Sequence, residues 1–220
     1  YVKSYEDNEV YECRARGIFR RDSISPVIGD VVEITIIDSA TRKGIIESVE
    51  ERSTFLFRPP IANVTKALLI FAVKSPDPNL SLIDRFIVFA ERERLDITIC
   101  FNKTDLDEDK KYLDYVKIYE RAGYKVIAAS VKEDLDIELI RQELRNNITV
   151  IAGPSGVGKS SLLNAVNPKL NLKTSQISEK LQRGRHTTRY AQLIELEDDS
   201  LVADTPGFSA LNLDLIEEIE

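Results

Sequence analysis

Gly153-Pro154-Ser155-Gly156-Val157-Gly158-Lys159-Ser160 fits the pattern G-x-x-x-x-G-K-[ST] at every required position. The residues before it, Ile148-Thr149-Val150-Ile151-Ala152, are apolar and mostly β-branched, which predicts a buried strand. Ser161-Leu162-Leu163-Asn164-Ala165-Val166 predicts the first turns of a helix. Strand, glycine-rich loop and helix in this order separate a phosphate-binding loop from a chance turn. A polyphosphate is a dense anion and needs several fixed donors. Gly153, Gly156 and Gly158 let the backbone curl so that its N–H groups face one phosphate. The helix that follows adds its positive N-terminal end. Lys159 is expected to reach the β- and γ-phosphates, and the Ser160 hydroxyl to ligate Mg²⁺. Pro154, Ser155, Val157 and Ser161 complete the expected loop.

Two further motifs flank this loop. Asn102-Lys103-Thr104-Asp105, an N-K-x-D pattern, precedes it, and Asp204-Thr205-Pro206-Gly207, a D-x-x-G pattern, follows it. The first comes after the strand-like Asp96-Ile97-Thr98-Ile99-Cys100-Phe101, at the strand's C-terminal end, where open α/β sheets bind ligands. Asp105 can accept from the N1–H and N2–H₂ of guanine, a donor pair that adenine lacks. Asn102 can face the Hoogsteen side of the base, with the Lys103 stem along the ring. Ser130-Val131-Lys132, after another strand-like run, matches a short element whose backbone supports guanine, with Val in place of the usual Ala. Asp204 follows Ser200-Leu201-Val202-Ala203 and is expected to hold Mg²⁺ through water, while the Gly207 N–H senses the γ-phosphate. In ordinary GTPases the phosphate loop comes first and N-K-x-D near the end. Here every part of a GTP site is present in rotated order.

Gly184-Arg185-His186-Thr187-Thr188-Arg189 lies where a switch segment belongs. Thr188 is the expected Mg²⁺ ligand from this segment, with Thr187 the alternative. Many GTPases place a Gln after the D-x-x-G glycine to orient the attacking water; here that position is Phe208. Another group must then orient water, or hydrolysis is slow. His186 is the single histidine of the chain. Two readings of it stand, a catalytic group and a solvated or packed surface residue.

The succession N-K-T-D, G-P-S-G-V-G-K-S-S-L-L-N-A, G-R-H-T-T-R and D-T-P-G-F resembles the circularly permuted, small-ribosomal-subunit-dependent GTPases of the RsgA/YjeQ family. The likeness covers essentially the whole chain, including Arg14-Ala15-Arg16-Gly17 and Arg58-Pro59-Pro60-Ile61-Ala62-Asn63. It implies an N-terminal OB-fold, a permuted GTPase domain and a C-terminal zinc-binding domain. It also implies subunit-stimulated GTP hydrolysis in late small-subunit maturation. The family's proposed catalytic histidine falls on His186, and its hydrophobic replacement of the glutamine on Phe208. The sequence stops at Glu220, before any Cys/His cluster, so the chain reads as a fragment and zinc is expected only in the missing domain. Cys13 and Cys100 lie in no metal-ligand spacing.

The chain has 220 residues, 43% hydrophobic and 30% charged, as a globular protein of one or two domains would. A formal charge of −7 argues against indiscriminate coating of nucleic acid without excluding a local basic face. No apolar run reaches the length of a membrane span, and no signal-peptide pattern opens the chain. Two lone cysteines suit a reducing cytoplasm. Residues 1–58 read as short strands, with Val31–Ile37 and Lys43–Val49 the clearest, and suit a small barrel. Arg14, Arg16, Arg20 and Arg21 gather positive charge there. A solvated strand edge and an RNA contact explain them equally; the family resemblance favours RNA. Arg58-Pro59-Pro60 reads as a stiff linker. From about residue 63 on, strands and helices alternate, which predicts a mainly parallel sheet with helices on both faces. Leu82, Ile83, Phe86, Ile87 and Ala90 form a core-facing stripe, and Tyr112, Tyr115 and Tyr119 read as packing residues.

The chain thus reads as an α/β permuted P-loop GTPase domain, 59–220, behind an OB-fold RNA-binding domain, 1–58. It is expected to be a cytoplasmic monomer that takes GTP and GDP, Mg²⁺ and the small subunit with its rRNA. Two alternatives stand beside this reading: a permuted GTPase of large-subunit assembly, and an rRNA-binding factor with little turnover.

Overall fold

The computed structural model describes residues 1–20, 25–57, 60–172, 192–196 and 200–204. The first strands are short: β1 (Val2–Lys3), β2 (Val10–Ala15), β3 (Val32–Asp38) and β4 (Lys43–Val49). They form one sheet in the order β1-β2-β4-β3, with β2 and β4 parallel and the other pairs antiparallel. The order places β4 between β2 and β3 and leaves β3 at an edge of the sheet. Register shifts in β3, between Glu33 and Ile34 and between Ile36 and Asp38, mark bulges that bend it locally. Gly44 is buried under Cys13: a Cβ there would lie 3.0 Å from the Cys13 Sγ.

Pro60, the last residue of the expected linker, lies in a strand: β5 (Phe55–Phe57) pairs antiparallel with β6 (Pro60–Ala62). Pro60 occupies the first position of its strand, where the missing N–H breaks no central ladder. Arg58 and Pro59, and with them the expected division after residue 58, lie outside the described residues. Leu56 and Ile61 belong to the core beneath the larger sheet, and Ile28 packs against that core. Ile28 and Ile61 also share a β-bridge, so the two parts of the chain join through backbone as well as side chains.

The remainder is a doubly wound unit. Its elements are β7 (Lys66–Ala72), α1 (Leu80–Arg92), β8 (Asp96–Asn102), α2 (Tyr112–Arg121), β9 (Lys125–Ala128) and α3 (Ile137–Leu144), then β10 (Ile148–Ala152), α4 (Lys159–Val166), β11 (Gln192–Glu195) and β12 (Leu201–Asp204). The sheet order is β11-β12-β10-β7-β8-β9, parallel except for β11 against β12. Central β7 is buried at every position, as expected for a parallel strand covered on both faces. Leu69 and Phe71 face Ile83, Phe86, Ile87 and Ala90 of α1. Leu68 and Ile70 face Ile137 and Ile140 of α3 and Leu162 and Leu163 of α4. Four of the five stripe residues of α1 are buried and Leu82 is packed against the same core. Asn79 caps this helix, its side chain accepting from the Leu82 N–H at 3.2 Å. The tyrosines of α2 pack as expected: Tyr115 and Tyr119 lie 5.9 and 6.1 Å from the Phe101 ring. The order β10-β7-β8 brings the C-terminal ends of these three strands side by side, and the motifs lie on the loops beyond them.

Candidate functional site

The phosphate loop leaves β10 at Ala152 and delivers Lys159 and Ser160 to the first turn of α4. Two of its glycines are dictated by space. Gly153 has φ 143°, and a Cβ there would sit 1.9 Å from the Ile70 carbonyl oxygen of β7. Gly158 has φ 96°, and a Cβ would sit 2.4 Å from the Asn102 amide nitrogen. Val157 is buried and pins the loop to the core under α4. Lys159 folds over the loop, and its ammonium donates to the Gly153 and Pro154 carbonyls at 2.8 and 2.7 Å. Burial pushes this ammonium down to about 8 from its ordinary range. Ser160 is buried beside it.

The base motif begins at the end of β8. Lys103 takes the left-handed conformation, φ 64°, and starts a 3-10 turn through Leu106. This turn presents Asp105, whose side chain is 7% exposed. The Ser130 hydroxyl donates to one carboxylate oxygen of Asp105 at 2.7 Å, and the Lys132 ammonium stands 3.7 Å from the other. Thr104 ties the two segments together through its N–H and hydroxyl, both bonded to the Ala129 carbonyl at 3.2 Å. The S-V-K element thus orients the carboxylate. Asn102 is 2% exposed and does something sequence reading did not foresee. Its amide N–H donates to the Val157 carbonyl at 2.8 Å, joining the base motif to the phosphate loop. Its Oδ1 has no hydrogen-bond partner among the described residues. No local signal announces such a link, because its ends are 55 positions apart.

Asp204 is the last residue of β12, one position beyond Ala203, which pairs with Val150 of β10; only its backbone is described. His186, Thr187, Thr188, Gly207 and Phe208 lie outside the described residues. The expected donors Ser160, Thr188 and Asp204 would offer hydroxyl and carboxylate oxygens, hard ligands of the kind that suit Mg²⁺. Among the described residues no cluster of three or more His, Cys, Asp or Glu could hold a metal by itself.

Of the arginines, Arg14 is exposed on β2 and Arg16 pairs with Glu47 of β4 at 2.9 Å. Arg20 is described by backbone only and Arg21 lies outside the described residues. Arg42 pairs with Glu9 at 2.8 Å, and Glu12 stands opposite Lys43 in the ladder. Among the described residues of this sheet, positive charge is interleaved with carboxylates.

Residues 49–214 match the family model of the RsgA GTPase, and residues 1–46 that of the RsgA N-terminal domain. The chain belongs to the RsgA GTPase family. It is a GTP-hydrolysing enzyme with a circularly permuted GTPase domain. The protein named small ribosomal subunit biogenesis GTPase RsgA of Alkaliphilus metalliredigens is 47% identical over 214 residues, 97% of this chain and 73% of the relative. The protein of that name from Clostridium botulinum is 44% identical over 218 residues, 99% of this chain and 74% of the relative. Among solved structures, YjeQ from Thermotoga maritima superposes with a TM-score of 0.78 at 38% identity, covering 94% of this chain and 70% of that one. YloQ, described as a circularly permuted GTPase, superposes with a TM-score of 0.73 at 36% identity, covering 96% and 68%. The RsgA relationship accounts for the rotated motif order. Rotation moves the chain ends and leaves the strand neighbours of the site in place.

Proposed function

We propose that this RsgA GTPase binds GTP across the ends of β10, β7 and β8 and hydrolyses it in step with small-ribosomal-subunit biogenesis. The observation that carries the nucleotide reading is the Asn102–Val157 hydrogen bond, which makes one continuous wall of the base motif and the phosphate loop. The names of the relatives support the place of action. In this reading Asn102, Lys103 and Asp105 take the base, with Ser130, Val131 and Lys132 behind it. Gly153 to Ser161 take the phosphates, and Gly207 reports the γ-phosphate. Ser160, Thr188 and Asp204 would hold Mg²⁺, which when bound neutralises charge building on the β- and γ-phosphates. GTP would draw the Lys159 ammonium from the loop carbonyls onto the phosphate oxygens. His186 orients the attacking water, because Phe208 cannot. Arg14, Arg16, Arg20 and Arg21 contact rRNA phosphates.

The place of work is the cytoplasm, where ribosomal subunits are assembled, and the protein acts on the subunit as a monomer. Both cysteines are free thiols, and no helix among the described residues is long and apolar enough to cross a membrane. The test is turnover of GTP and ATP with and without purified small and large subunits. GTP-selective turnover raised by small subunits alone is expected. Binding without stimulation would favour a GTP-dependent rRNA-binding factor.

A further inference from the structure

Residues 73–79 carry no nucleotide motif; Lys74-Ser75-Pro76-Asp77-Pro78 reads from sequence only as a loop. The structure places this loop between the two halves of the site, because β7 lies between β10 and β8. Two hydrogen bonds hold it there. The Val73 N–H donates to the Asn102 carbonyl at 2.9 Å. The Lys103 ammonium donates to the Ser75 carbonyl. Pro76 borders the phosphate loop, its Cδ 3.8 Å from where a Gly156 Cβ would stand. Ser75 itself has φ 53°, the left-handed region that a residue with a Cβ seldom adopts. Strain of this kind persists where the surroundings over-determine the backbone, and it concentrates at ligand clamps.

We propose that the Ser75 carbonyl is a positioning group for the guanine base. It holds the Lys103 ammonium so that the lysine stem stays against the base, and it thereby sets how fast guanine nucleotide leaves. This rests on the reading of Lys103 as part of the base site. A lysine side chain carries large rotamer freedom, and an anchored one spends less of it on binding. The contact acts on dissociation, because it preserves an arrangement already formed and does not steer encounter.

The backbone conformation of Ser75, and not its hydroxyl, carries the effect, which the variants separate. Valine strongly disfavours a positive φ and glycine accepts it. Release of a fluorescent GDP analogue is measured by stopped flow for Ser75→Val, Ser75→Gly, Lys103→Ala and the Ser75→Val/Lys103→Ala double variant, with thermal unfolding alongside. Ser75→Val is expected to release about tenfold faster with its association rate unchanged, as for loss of one charge-assisted hydrogen bond. Ser75→Gly is expected within about twofold of the parent, and the double variant no faster than Lys103→Ala. If Ser75→Val does not fold, Ser75→Ala replaces it in the series. Parent-like release by the Ser75 variant, equal acceleration in Ser75→Gly, or additivity in the double variant would each overturn the proposal while the base-site reading stands. Unchanged release in Lys103→Ala would instead remove Lys103 from the base site.

Discussion

Asn102 donates its amide N–H to the Val157 carbonyl at 2.8 Å, so the residue that opens the base motif also braces the middle of the phosphate loop. Both partners are buried, and the Gly158 backbone presses against the same amide. Asn102→Asp keeps the size and removes the donor, leaving a carboxylate oxygen against a carbonyl oxygen. An unmet buried acceptor costs about 1–3 kcal/mol. Affinity for GDP is expected to fall about tenfold or more, with a lowered melting temperature. Gly158→Ala, which drives a methyl into the same amide, is expected to reproduce the affinity loss. Equilibrium titration and thermal unfolding of both variants check this.

Lys159 is expected to make nucleotide binding pH-dependent. Its ammonium sits at about 8 because burial disfavours the charged form, and phosphate oxygens restore the charge. Binding above pH 8 therefore takes up a proton, and affinity falls as pH rises, about tenfold between pH 7 and pH 9. The effect on folding has the opposite slope. Without nucleotide, the unfolded chain binds more protons between pH 8 and the ordinary value of 10.5, so this residue's cost is full below pH 8 and fades above it. Calorimetry in two buffers of different ionisation enthalpy is expected to show uptake approaching one proton at pH 9, absent in Lys159→Met.

Asp105 is expected to decide guanine against other bases. Ser130 holds the carboxylate in place at 2.7 Å, so Asp105→Asn changes the chemistry of an already oriented group. Replacing one charged acceptor oxygen with an NH₂ donor, and losing the charge on the other, is expected to weaken GTP at least about a hundredfold. Preference is expected to shift toward xanthine nucleotides, and competition of GTP, XTP and ATP measures it.

Glu143 of α3 anchors the opposite end of the sheet. It accepts from Lys66 at 2.9 Å and Thr98 at 3.0 Å and also bonds Lys125, close to the starts of β7, β8 and β9. Burial alone would raise its carboxyl, but Lys125, Lys66 and Thr98 outweigh burial and hold it at about 2. Because the folded value is depressed from 4.5, its stabilisation is complete above pH 4.5 and is lost as pH falls toward 2. Glu143→Gln is expected to cost about 3 kcal/mol at pH 7 and to flatten the acid limb of the stability curve, with GTP affinity unchanged. Urea unfolding across this pH range tests both.

On the N-terminal sheet, Arg14→Glu is expected to weaken small-subunit binding more than Arg16→Glu. Arg16 is already balanced by Glu47, whereas Arg14 is exposed on β2. If Arg14 meets rRNA phosphate, its loss also lowers the salt slope of binding by about one. Subunit co-sedimentation at several salt concentrations gives both quantities.

The parts of this protein legible in sequence are those whose cause is local. The strand before Gly153 and the helix after it follow from β-branched and helix-forming runs, and the burial of Ile83, Phe86, Ile87 and Ala90 follows from helical period. The rotated motif order is a property of the chain itself and pointed to the permuted GTPase family without coordinates. The strand position of Pro60 was not legible because proline is compatible with both a linker and a strand start, and only its pairing with Phe57 decides. The pairing of Arg16 with Glu47 was not legible in sequence, because the carboxylate arrives from another strand. Tertiary structure alone decided the contacts of Asn102 with Val157, Lys103 with Ser75, and Glu143 with Lys66. Each joins segments that meet only because parallel strands must be connected by long crossovers. Which loops become neighbours is then set by strand order in the sheet, a property of the packed whole that no short window of residues carries.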